Sequence, residues 1–308
     1  LHDGFFGMTT FSAHGKLLIT GEYFVLDGAI SLAIPTKFGQ QLTVEHQPGG
    51  TSLHWTSLDH IGKSWLEGVW SPNELAWKSI KEPEKAAFLS QLLSFAQREL
   101  SIDLEGFRAQ TQLEFPQEWG LGSSSTLLAL LAQWWHCDPY ELLRNSFGGS
   151  GYDIACATAT SPILYQLVDA QPKVETAIHL PFADQLYFVY LGKKQDSREG
   201  IKMYRKLGED RFQWIPEISD ITRKLLRCED FDELEYLLML HETIVSRALG
   251  LEKVRDLYFS DFPGAVKSLG AWGGDFVLAT ADESPEDVRQ FFKDKGFDIV
   301  IPYREMAL

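Results

Sequence analysis

The sequence is short of positive charge: 28 lysines and arginines stand against 43 aspartates and glutamates, a formal charge of −15. A surface of that sign repels nucleic acid and anionic membranes, so neither is expected as a partner, and an anionic ligand must be met by cations placed locally. Cysteine is scarce as well. Cys137, Cys156 and Cys228 are odd in number and widely spaced, which suits neither a disulfide framework nor a zinc site and points to a reducing cytoplasm. No apolar run approaches the roughly 20 residues of a membrane helix, and no signal-peptide pattern opens the chain; Met8 reads as a plausible start, with residues 1–7 an upstream extension. There is no internal repeat and no low-complexity segment. What is present, 308 residues at 44% hydrophobic, suffices for one large or two modest cores, and two is the preferred reading.

The organising stretch is Pro116-Gln117-Glu118-Trp119-Gly120-Leu121-Gly122-Ser123-Ser124-Ser125-Thr126, followed by an apolar run to Trp135. Alternation over 106–115 suggests a strand, so the segment reads as strand, glycine loop, helix start. Two glycines let backbone approach a ligand closely, and three serines set hydroxyls beside the unpaired amides of a new helix, where the dipole favours an anion. An ordinary serine-capped helix after a glycine turn fits the segment equally well. The spacing is not that of a P-loop, and no lysine follows the glycines, so any lysine must come from elsewhere in the chain.

Along the chain, Phe11–Thr20 reads as a short buried strand broken at Gly15-Lys16, and 30–35 and 38–46 read as two further strands. Residues 53–70 read as a hairpin whose Trp55, Trp65 and Trp70 pack rather than stack on bases. A helix is predicted over 84–100, with Phe88, Leu92, Phe95 and Leu100 near one face. Asp138-Pro139 starts another helix, Gly148–Gly151 interrupts before a small-residue helix at 152–159, and 163–168 is a strand. Ala170-Gln171-Pro172-Lys173 is the candidate domain junction, giving domains 8–170 and 171–308. Beyond it the predicted order is a strand at 186–191, a basic loop and helix over 193–206, helices over 217–227 and 231–249, strands at 265–269 and 276–280, a helix over 285–295 and a strand at 297–301, an α+β pattern with helices on one face of an antiparallel sheet.

Three small-residue loops stand out in order: Gly15-Lys16 with Gly21-Glu22-Tyr23-Phe24-Val25, Pro116 to Ser124, and Lys267 to Asp275, with Gly149-Ser150-Gly151-Tyr152-Asp153 between the last two. This order resembles the GHMP kinases, the superfamily of galactokinase, homoserine, mevalonate and phosphomevalonate kinases, from about Phe11 onward. Gly21-Glu22-Tyr23, Asp275 and Gly149–Ala155 look most like phosphomevalonate kinases and next like mevalonate kinases. Two positions depart from the family pattern: His14 replaces the proline before Gly-Lys, and Trp272 replaces a glycine of the third loop.

The resemblance implies a two-domain α+β fold, an N-terminal domain like domain 2 of ribosomal protein S5 that binds ATP and a ferredoxin-like C-terminal domain. It further implies γ-phosphoryl transfer from MgATP to a small mevalonate-type acceptor, most like phosphomevalonate, by a soluble cytoplasmic monomer or homodimer. Such transfer needs positioning and charge neutralisation more than covalent chemistry. On this reading Gly120, Leu121, Gly122, Ser123, Ser124 and Ser125 cradle the nucleotide, and Ser124 and Glu141 serve Mg²⁺. Lys16 and Asp153 are catalytic, the carboxylate as base and the ammonium holding it ionised. Gly151, Arg198, Gly273 and Gly274 lie on the acceptor side. Blander readings stand beside these: Asp153 as a helix cap, Lys16 as a turn lysine, Glu141 as a solvated helix-face glutamate. The basic set Lys193, Lys194, Arg198, Lys202 and Arg205 either meets a phosphorylated acceptor or is a solvated helix face. Glu22 is expected to pair with Lys16 or cap its turn, and His241 to be a core or surface histidine. A catalytically silent metabolite-binding relative is the competing class, kept open by His14 and Trp272.

Overall fold

The computed structural model describes residues 7–193, 197–270, 272 and 274–308, with the side chains of Ser197 and Arg198 excepted. In chain order the first elements are β1 (Met8–Leu18), β2 (Ser31–His46), β3 (Leu53–Leu58), β4 (Ser64–Ser71), β5 (Ala76–Lys81), α1 (Pro83–Glu99) and β6 (Phe107–Leu113). Then come α2 (Ser123–Trp135), α3 (Pro139–Arg144), α4 (Tyr152–Thr158), β7 (Ile163–Val168), β8 (Gln171–Thr176) and β9 (Leu186–Tyr190). The remainder is α5 (Ser197–Lys206), α6 (Ile215–Leu225), α7 (Phe231–Leu249), α8 (Val254–Tyr258), β10 (Val266–Ser268), β11 (Phe276–Thr280), α9 (Pro285–Asp294), β12 (Val300–Pro302) and α10 (Tyr303–Met306).

The chain divides into two compact units, each discontinuous in sequence. One holds residues 1–14, 38–117 and 122–157; the other holds 15–37, 118–121 and 158–308. The sequence reading makes a single cut at 170/171. That point is the tip of the β7–β8 hairpin, inside the second unit, where strands bonded residue by residue from Ile163↔Thr176 to Val168↔Gln171 hold 163–176 together.

In the first unit, β6 bonds antiparallel to residues 40–46 of β2 and parallel to β3, and β4 and β5 continue outward as a meander. β5 is an addition to the expected hairpin. Trp55 and Trp70 are almost wholly buried and Trp65 packs against the same core, as their packing role requires. α1 keeps its expected span, but its buried face is Ala86, Leu89, Leu92, Leu93 and Ala96. Phe88 and Phe95 sit at the margin, because the i, i+3, i+4, i+7 stripe is centred on the small and aliphatic residues. α2 buries Leu128, Ala129, Leu130, Leu131 and Ala132 in succession, so it is a central helix with apolar residues all round.

In the second unit, residues 31–33 of β2 pair with β7, and β7 with β8. The two strands expected over 30–35 and 38–46 are thus one strand. Pro35 lies between the β7 pairing at 31–33 and the β6 pairing at 40–46, and β1 also pairs with β2. A separate four-stranded antiparallel sheet runs β10-β11-β9-β12. Its core joins Tyr187, Val189, Val266, Val277 and Phe292 of α9, the predicted α+β arrangement.

Candidate active site

The glycine loop is built as the residue types demand. Gly120 (φ 66°) and Gly122 (φ 91°) are both left-handed, and α2 starts directly after Gly122 with no side chain capping its first amides. Ser125 Oγ donates to Gly122 O (3.0 Å), within the loop, and Thr126 Oγ1 to Gln40 Oε1 (2.6 Å) on β2, so both hydroxyls have protein partners. Ser125 can offer a ligand its amide; Ser123 is half-buried and Ser124 exposed. Trp119 packs edge-on to Phe276 (5.6 Å between ring centres), and the Tyr190 hydroxyl donates to Glu118 O (3.1 Å), which seats the approach to the loop. A side chain at Gly120 would be strained by the left-handed φ, and its Cβ would lie 2.2 Å from Asp275 Oδ2 unless that carboxylate moved.

The lysine missing from the loop arrives from β1. Lys16 N–H donates to Leu121 O (3.0 Å) and Lys16 Nζ to Gly120 O (2.9 Å), which docks an ammonium on the loop backbone. Glu22, expected near Lys16, is committed elsewhere: it is 1% exposed and ion-paired with Lys267, itself 0% exposed. Lys267 also donates to Ser268 O (2.8 Å).

In the first unit, Asp153 lies in the first turn of α4 and accepts Ile154 N–H (3.0 Å). Gly151 (φ 84°) packs under Tyr140, where a Cβ would come within 2.9 Å of the ring. Burial, and next the Asp153 charge, push the Tyr140 phenol up to about 12. Glu141 is half-buried at the start of α3, behind the Asp138 cap that accepts Tyr140 N–H (2.9 Å). Its charge adds to the burial that pushes the Cys137 thiol up to about 11. Among the described residues no three His, Cys, Asp or Glu side chains converge as a metal cage. Ser124 and Glu141 carry a hydroxyl and a carboxylate, hard oxygen donors of the kind Mg²⁺ takes while keeping waters and substrate oxygens.

On the expected acceptor side, Gly274 is buried, and Gly273, Lys194 and the Arg198 side chain lie outside the described residues. Lys202 and Arg205 are exposed on α5. The third loop carries the feature that sequence reasoning noticed without being able to place. Trp272 is 7% exposed, its N–H donates to the Tyr23 hydroxyl (2.9 Å), and its Nε1–H donates to Glu252 O (2.9 Å). Trp272 and Tyr23 wall a cavity of about 280 Å³ that Lys193, Glu199, Met203 and Tyr258 also line. Tyr23 is itself strained, a bulky residue held at φ 65°.

No protein-family model and no curated protein match the chain. Solved structures do. Mevalonate kinase of Methanococcus jannaschii aligns over 97% of this chain and 98% of its own at 15% identity, TM-score 0.70. Streptococcus pneumoniae phosphomevalonate kinase, in complex with phosphomevalonate and AMPPNP, aligns over 94% and 98% at 15% identity, TM-score 0.70. A D-glycero-D-manno-heptose 1-phosphate kinase of Bacteroides thetaiotaomicron aligns over 98% and 96% at 14% identity, TM-score 0.67. The chain has the fold of the GHMP kinases.

Within this GHMP fold, sequence reasoning did not find the buried polar cluster behind the first loop. His241 Nε2 accepts the Gly21 N–H (2.9 Å) and lies 3.4 Å from Glu22 Oε2. Accepting at Nε2 requires a neutral ring with its proton on Nδ1, and burial followed by the Lys267 charge holds its pKa well below the usual range. Glu242 accepts from Ser268 N–H (3.1 Å) and Oγ (2.9 Å), and burial raises its carboxyl to about 7. The one sequence signal was a lysine inside the predicted strand 265–269, which a core strand admits only with a partner.

Proposed function

We propose that this protein is an ATP-dependent small-molecule kinase of the GHMP type, transferring a γ-phosphoryl group to a mevalonate-type acceptor, phosphomevalonate first and mevalonate second. The observation that carries the reading is the ammonium of Lys16 held 2.9 Å from the Gly120 carbonyl, on the loop that leads into the uncapped α2. Exposed amides at a helix start and a fixed cation are what a polyphosphate requires.

In this reading Gly120, Leu121, Gly122 and Ser123–Ser125 hold the nucleotide phosphates, the last through its amide. Lys16 stabilises the transferred group. Asp153, in the first turn of α4, orients and deprotonates the acceptor hydroxyl. Mg²⁺ would supply charge neutralisation of the phosphates, with Ser124 and Glu141 as its protein donors. Gly151, Gly274, Gly273 and Arg198 bound the acceptor. Phosphomevalonate precedes mevalonate because Gly21-Glu22-Tyr23, Asp275 and Gly149–Ala155 look most like the phosphomevalonate kinases; the exposed Lys202 and Arg205 either meet a phosphorylated acceptor or are a solvated helix face.

Trp272 favours a second reading, a metabolite-binding protein without turnover, since a pinned indole occupies a loop position where the kinases carry glycine. A panel of acceptors (phosphomevalonate, mevalonate, sugar 1-phosphates) assayed for ADP release from MgATP separates the two. Turnover with phosphomevalonate is expected; tight ATP binding with no turnover on any acceptor would establish the binding protein instead.

A further inference from the structure

β8 closes one side of its sheet, and among the described residues no strand pairs with its outer edge. Its hairpin with β7 turns through two left-handed residues, Asp169 (φ 51°) and Ala170 (φ 60°), between the paired Val168 and Gln171. In a two-residue hairpin the pair flanking the turn exchanges hydrogen bonds, and alternate pairs follow suit. Gln171, Lys173 and Glu175 therefore direct their N–H and C=O groups to β7, and Pro172, Val174 and Thr176 direct theirs outward. Pro172 stands at an outward position, where its missing N–H costs the β7 ladder nothing.

The outward edge is self-complementary. We propose that β8 is the contact between two copies of this chain, paired antiparallel about a two-fold axis at Val174 to join their sheets edge to edge. In that register Val174 faces its own counterpart and exchanges two N–H···O=C bonds with it. Thr176 N–H meets the Pro172 carbonyl of the other copy, twice. Lys173 lies opposite Glu175 of the other copy, again twice, and both belong to one face of the strand, as their 2.7 Å intrachain pair shows. Val174, 45% exposed in one copy, gains apolar cover on the opposite face.

Charged residues and proline on an edge strand are common guards against such pairing. A guard works by placing like charges together. Here one lysine and one glutamate flank Val174 symmetrically, so a two-fold operation brings opposite charges into register, the isologous pattern of a closed dimer. This inference is independent of the kinase reading, because no residue of the glycine loop or its surroundings takes part.

Sedimentation equilibrium of the full chain from about 1 to about 100 µM tests it. The wild type is expected to pass from monomer to dimer across that range. Lys173→Glu sets glutamates opposite each other at two places and is expected to weaken dimerisation at least about tenfold. Adding Glu175→Lys restores opposite charges and is expected to restore the wild-type constant within about threefold. Val174→Pro removes the two central donors without touching the β7 ladder and is expected to abolish the dimer, with far-ultraviolet circular dichroism unchanged. A wild type that stays monomeric throughout, a dimer indifferent to Lys173→Glu, or a charge-swapped chain that fails to re-dimerise would each overturn the assignment.

Discussion

Lys267 and Glu22, 245 positions apart, form an ion pair with both side chains withdrawn from water. The pair ties the strand entering the third glycine loop to the turn after β1. Two charges out of water are tolerated only because each neutralises the other, so removing one leaves an uncompensated charge. Lys267→Met is expected to destabilise the fold by about 3–5 kcal/mol. The double variant Lys267→Met with Glu22→Leu, which removes both charges, is expected to recover most of that loss. Urea unfolding followed by fluorescence measures both.

The same cluster makes stability depend on pH. Burial raises Glu242 from its ordinary 4.5 to about 7, so the folded state holds a proton that the unfolded state has released over that interval. Stability from this group is full below about pH 4.5 and is lost as pH rises through about 7, a cost on the order of 3 kcal/mol at alkaline pH. Glu242→Gln keeps an acceptor oxygen for the Ser268 N–H and can donate its amide to the Ser268 Oγ, without the charge. It is expected to melt higher than wild type at pH 8 and to flatten the pH profile between 5 and 8, measured by calorimetry against pH.

Gly120→Ala combines two penalties, a φ of 66° and a Cβ placed 2.2 Å from the Asp275 carboxylate. The loop is expected to lose about 1–3 kcal/mol and to bind nucleotide more weakly. Adding Asp275→Ala relieves the collision but leaves the backbone strain, so recovery in thermal melting and in nucleotide titration is expected to be partial.

Lys16→Met and Asp153→Asn distinguish the two chemical roles. Loss of the cation is expected to lower kcat by about 10²–10³. Loss of the base is expected to lower kcat by about 10²–10⁴ while nucleotide affinity stays close to wild type. Steady-state kinetics with MgATP and phosphomevalonate, paired with nucleotide titration, reads both, and an Asp153→Asn enzyme of undiminished kcat would remove the carboxylate from the mechanism.

Local chemistry was legible in the sequence. The glycine loop, the start of α2 and the Asp138 cap are written in contiguous residues whose backbone preferences point one way. The need for a distant lysine was legible too, because the loop supplies none. Partnerships across the chain were not. Glu22 reads in the sequence as a partner of Lys16 or a cap of its turn, whereas its carboxylate pairs with Lys267, a cation buried with it. Residues 30–35 and 38–46 read as separate strands, one an apolar run and one alternating, and their continuity as β2 is a tertiary fact, set by β7 pairing one end and β6 the other. The third loop's tryptophan could be noticed but not placed, since its hydrogen-bonding partners, the Tyr23 hydroxyl and the Glu252 carbonyl, come from two other segments.

The turn after β1 bonds to segments that are synthesised much later. Thr20 waits for Thr222, Gly21 for His241 and Glu22 for Lys267, separations of 202, 220 and 245 residues. At ribosomal speeds that is an interval of roughly 10–50 s. Throughout it, the apolar side chains of Leu17, Ile19, Phe24 and Val25 belong to a nascent chain that lacks the residues destined to cover them, which makes this early segment a natural landing place for chaperones during translation.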